Sequence, residues 1–131
     1  MTRSGISRDA ARGVVAAMAM TGMRRMTTAL GLVGRPPPER ILPTRREETV
    51  ELAHWLFGAA AGATYGALVR PSSKSRWAGP VYGIAIWAVF EMAVAPLLAP
   101  DQPQGRSITS RLAIAGDHVL YGAIVAGGEA A

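Results

Sequence analysis

Residues 77–99, WAGPVYGIAIWAVFEMAVAPLLA, run for 23 positions with a single charge, Glu91. Few folds accommodate such a run. A helix of about 20 apolar residues crosses a bilayer, whereas a soluble surface helix keeps one polar face. Three other segments share this character. One spans about residues 10–33 and is interrupted by Arg24 and Arg25. A second spans about 51–69, in which residues 52–69 carry His54 as their only ionisable group. The last spans about 111–128 and contains Asp117 and His118. Strands of this length are unusual, and the spacers are too few for a barrel.

The connections are polar or proline-rich. GRPPPERILP ends the first segment, because consecutive prolines cannot continue a helix. RPSSKSR is a short basic turn, and PDQPQGRSITS offers Ser107, Thr109 and Ser110 as N-caps. The expectation is an all-α chain with a single domain over 1–131. Its four transmembrane helices, roughly 10–33, 51–69, 77–99 and 111–128, form an up-down integral membrane bundle.

Lysine and arginine total 14 against 9 acidic residues, a net charge of +5. Basic chains can bind nucleic acid. Here the arginines flank apolar segments and no basic stretch interleaves aromatics, so the expected partner is the lipid bilayer and not nucleic acid. The chain has no cysteine, which removes thiol catalysis, thiolate zinc sites and disulfides. The lead MTRSGISRDAAR followed by GVVAAMAMTGM has the outline of a signal peptide. Arg24 and Arg25 then interrupt it, and the segment is read as an uncleaved first helix.

Topology puts the N-terminus and the 70–76 turn at one end, and the 34–50 and 100–110 connections at the other. Lysine and arginine are evenly divided between the ends, and the acid-free basic turn favours its own end as cytoplasmic.

Small residues recur every four positions. Gly58, Gly62 and Gly66 follow His54; Gly79 and Gly83 precede Trp87 and Glu91; His118 precedes Gly122 and Ala126; Gly13, Ala17 and Thr21 precede Arg25. In lipid, small residues let helix backbones approach closely. The glycines are therefore expected at glycine-rich helix interfaces, with the ionisable groups turned inward beside them. Two copies of His-x-x-aromatic-Gly, HWLFG at 54–58 and HVLYG at 118–122, open such stripes. Tyr-Gly also recurs at 65–66, 82–83 and 121–122, a faint sign of internal duplication.

At ~1.5 Å per residue, Arg25 and Glu91 lie roughly 12 Å from the second end, Asp117 and His118 roughly 10 Å, and His54 roughly 5 Å. Arg24, Arg25, His54, Glu91, Asp117 and His118 thus gather in one half of the bilayer. Two positive and two negative charges balance there, as buried charges in lipid usually do. Glu91 is expected to pair with Arg25 or Arg24, and Asp117 to balance the arginines.

The stretches HWLFGAAAGATYGAL, GPVYGIAIWAVFEMAVAPLLAP and HVLYGAIVAG, with the glycine- and methionine-rich first segment, resemble the YagU-like group of small bacterial inner-membrane proteins. The likeness runs from about Gly13 onward. It implies a multi-pass helical bundle in the bacterial inner membrane and carries no catalytic roles over.

No phosphate loop or nucleophile elbow is present, and the chain is not expected to be an enzyme. The leading expectation is a polar intramembrane patch that handles protons, an ion or a small solute, in a homo-oligomer or a membrane complex. The alternatives are an accessory subunit whose ion pairs fix helix packing, and haem or metal binding through His54 and His118. No resident cofactor is expected in the first two.

Overall fold

The computed structural model describes residues 3–32, 47–94 and 108–127, and among these the fold is all-α: four helical rods and no strand. Helix α1 is Arg3–Ala29. Helix α2 is Glu47–Thr64, prolonged by a π-wound turn, Tyr65–Val69. Helix α3 is Ala78–Val89, prolonged by a second π-wound turn, Phe90–Val94. Helix α4 is Ile108–Ala126.

Several boundaries differ from those expected. The basic lead joins α1, since nothing in it breaks a helix. α1 then stops at Ala29, short of residue 33. Gly31 takes a φ of +71°, its N–H donates to the Thr28 carbonyl (3.0 Å), and the Leu32 N–H donates to Thr27 (2.9 Å). This is a Schellman closure with glycine at the left-handed position. α2 starts four residues early, at Glu47, because Glu47, Glu48 and Glu51 suit a helix N-terminus. Pro71 follows its end. Ser75 opens α3: its hydroxyl accepts the Trp77 N–H (3.2 Å), and Pro80 sits in the first turn, where a missing N–H costs little. Thr109 and Ser110 lie inside the first turn of α4, and Ser107 and residues 95–99 lie outside the described residues.

Contacts fix the topology. Asp9, Gly13 and Ala17 of α1 meet Gly66, Gly62 and Gly58 of α2 in reverse order, so the pair is antiparallel. Gly79 and Gly83 of α3 meet Gly122 and His118 of α4 in the same way. α1 also packs along α4, and Tyr82 of α3 reaches Ala61 of α2. The result is an up-down four-helix arrangement with α1 and α3 on one diagonal.

Small residues line the helix seams, and many large apolar side chains lie on the outside. The buried core comprises Ala16, Met20, Tyr65, Tyr121 and Val125. Leu52, Leu56, Phe57, Leu68, Val81, Val89, Met92 and Leu112 are exposed. One helix among the described residues, Glu48–Val69, is long and apolar enough to cross a membrane; Ala78–Ala93 is apolar but shorter. Among the described residues the four full spans expected from sequence are therefore represented by one: Arg8, Asp9, Arg12, Arg24 and Arg25 lower the apolar character of α1, Arg111, Asp117 and His118 lower that of α4, and residues 95–99 of the third run lie outside the described residues.

Candidate functional site

Glycine sets the distance between the rods. A Cβ on Gly13 would overlap the Gly58 carbonyl, and one on Gly62 the Asp9 carbonyl. On Gly66 it would fall on the Asp9 carboxylate; on Gly58 it would sit 2.6 Å from the Ala17 Cβ. Gly79 and Gly122 face each other's backbone, and Gly83 faces the His118 carbonyl. Two tyrosines of the second pair then clasp α2. Tyr121 Oη donates to the Gly58 carbonyl and Tyr82 Oη to the Ala61 carbonyl, each at 2.7 Å.

This close packing brings ionisable groups together at the end expected from sequence. Arg24 Nε lies 3.5 Å from Asp117 Oδ2, with side chains 8 % and 2 % exposed. His54 is within electrostatic range of both Arg24 and His118. His118 in turn feels Arg24 and Glu91. His118 Nδ1 lies 2.8 Å from the Ile114 carbonyl, which can only accept, so Nδ1 carries the proton and Nε2 is the free lone pair of the neutral ring. His54 Nε2 is buried with no hydrogen-bond partner among the described residues. Glu91 is half-buried in the π-wound end of α3.

His54, His118, Tyr121, Gly58, Met20 and Ile86 are among the residues around a pocket of about 20 Å³, room for about one water molecule. A haem between the two rings would require the packed helix faces to part. Among the described residues no three histidine or carboxylate groups gather as a metal site would need.

Arg25 departs from the inward position expected. It is exposed and bonds Glu51 of α2. The reason is geometric. Each four-residue step overshoots a helical turn by about 40°, so three steps from Gly13 carry Arg25 about 120° off the face. Steps of three, four and four keep Gly13, Ala16, Met20 and Arg24 close to one face, and all four are buried. Arg24 therefore pairs with Asp117, and Arg25 with Glu51.

A second cluster, missed by sequence reasoning, closes the opposite end. Asp9 is only 4 % exposed. Arg70 donates from Nη2 to Asp9 Oδ1 (2.9 Å) and from Nε to Oδ2 (3.3 Å), and Nη2 also reaches the Val125 carbonyl (3.1 Å). The guanidinium lies 5.4 Å from the centre of the Tyr65 ring. Arg12 stands 3.7 Å from the same carboxylate. One arginine thus ties α1, α2 and α4 together.

The arrangement defines a glycine-packed four-helix bundle with a buried ion pair near each end. Family models, curated proteins and solved structures return no match for this chain. The likeness to the YagU-like group rests on its motifs alone.

Proposed function

We propose that the chain is a multi-pass membrane protein, in the inner membrane of a bacterium, whose Arg24–Asp117–His54–His118 cluster handles protons. The membrane part rests on the inverted packing. Only 22 % of the apolar window in α2 is buried, whereas the core helix of a soluble protein would be mostly covered. Large apolar side chains point outward, and glycine, alanine and ion pairs point inward, as lipid-embedded bundles require.

The carrying observation for the function is the buried Arg24–Asp117 pair beside two imidazoles and a water-sized pocket. The pocket size favours a proton over a solute. Arginine keeps its charge, so the groups that exchange protons are Asp117 and the two rings. A proton taken up on Asp117 Oδ2 neutralises the carboxylate and weakens its hold on Arg24. That would loosen α1 from α4 at this end. The step is a proton transfer with no other bond made or broken.

Purified protein in liposomes with an internal pH dye and an imposed potassium diffusion potential tests the reading. Proton entry should exceed that of protein-free liposomes. His54→Ala combined with His118→Ala should return it to the protein-free rate. Entry at the protein-free rate in the parent protein would reject proton handling. A second reading, an accessory membrane subunit whose ion pairs fix helix register, would then stand; the independent Arg70–Asp9 clasp favours it.

A further inference from the structure

Among the described residues, one end of the bundle is strongly basic. Described residues 3–16, 66–82 and 121–127 contain six bases (Arg3, Arg8, Arg12, Arg70, Lys74, Arg76) and one acid, Asp9. Described residues 17–32, 47–65, 83–94 and 108–120 contain three bases and five acids. At the basic end Asp9 is buried and both its oxygens accept from Arg70, so it offers little compensation to the exposed bases. Arg8, Lys74 and Arg76 are exposed. Trp77 is 62 % exposed, and the Arg76 guanidinium lies over its ring at 5.6 Å. A tryptophan at a helix end under an arginine is amphipathic: the ring suits the acyl boundary and the cation suits phosphate.

We infer that this end is a seat for anionic glycerophospholipid headgroups, with Lys74 and Arg76 meeting phosphate and Trp77 anchoring the acyl boundary. The inference rests on the membrane reading above. It places the 70–77 turn in the more anionic, cytoplasmic leaflet.

The test uses the full chain in nanodiscs with Trp55→Phe and Trp87→Phe, which leaves Trp77 as the only tryptophan. Fluorescence is compared for discs containing equal fractions of brominated phosphatidylglycerol or brominated phosphatidylcholine, labelled near the glycerol end of the chain. Phosphatidylglycerol should quench Trp77 more strongly. The excess should vanish in Lys74→Gln with Arg76→Gln, and should shrink as salt screens the contact. A companion protein keeping only Trp55 should show no excess. Equal quenching of Trp77 by the two lipids overturns the inference. So does an excess erased by inorganic phosphate but not by chloride of the same ionic strength, which would mark a free-phosphate site. Protein that does not enter the discs rejects the membrane reading, and the lipid seat with it.

Discussion

Asp117 and Arg24 show what a single buried charge demands of its surroundings. Neither side chain reaches solvent to any extent, so each depends on the other. Asp117→Asn would remove the carboxylate beside a buried guanidinium, and breaking a buried pair typically costs ~3–5 kcal/mol. Arg24→Gln should be comparably damaging, and the double variant should lose less than the sum. Unfolding of the four proteins in detergent measures this; strict additivity would mean the groups do not interact. Arg25→Gln serves as the contrast. Its pair with Glu51 is 65 % exposed on the arginine side, and exposed pairs contribute ~0–1 kcal/mol. The sequence pointed to the end of the bundle at which Arg24, His54, Asp117 and His118 gather. It turned Arg25 inward beside Arg24, because four-residue spacing was carried too far along α1. It missed Asp9 with Arg70 for a different reason. Depth was counted from one end only, and a pair 61 residues apart becomes visible only when both ends are measured.

Among the helices, glycine positions separate into two kinds. Gly58, Gly62, Gly79, Gly83 and Gly122 touch a neighbouring helix, whereas Gly22 and Gly116 face open space. Gly122→Ala must push α3 away and should cost ~1–3 kcal/mol. Gly116→Ala meets nothing and should gain up to ~1 kcal/mol from helix propensity. Gly62→Leu should likewise be far more harmful than Leu at the exposed Ala53. Thermal unfolding in one detergent ranks all four; equal midpoints would contradict a glycine-set spacing. The stripes were legible because their spacing repeats. The π-wound turns at Tyr65–Val69 and Phe90–Val94 were not, since no residue type marks them. Each adds a residue per turn and alters the face that follows. Arg70 and Glu91, one just past such a turn and one within it, therefore sit where an ideal α-helix would not have put them.

For the whole molecule, the up-down arrangement predicts that reporter fusions at both termini and at residue 73 agree, and that a fusion at residue 104 gives the opposite result. Disagreement between the termini would refute the topology. The apolar segments made four rods readable from sequence; how the rods choose neighbours was not readable, because it depends on which glycine meets which carbonyl. That choice has a practical consequence. Gly13, Gly58 and Gly62 join α1 to α2, and Gly79, Gly83 and Gly122 join α3 to α4, while tyrosine hydroxyls, the Arg24–Asp117 pair and the Arg70 bond to the Val125 carbonyl join the two hairpins. Each hairpin holds its own tightest seam, and the peptide link between them is the short turn after Val69. Cut between Ser73 and Lys74, the chain becomes two polypeptides that should insert separately and recombine when co-expressed. An affinity tag on one piece should retain the other. Asp117→Ala with Tyr82→Phe and Tyr121→Phe should release it, because those side chains hold one hairpin to the other without belonging to either glycine seam.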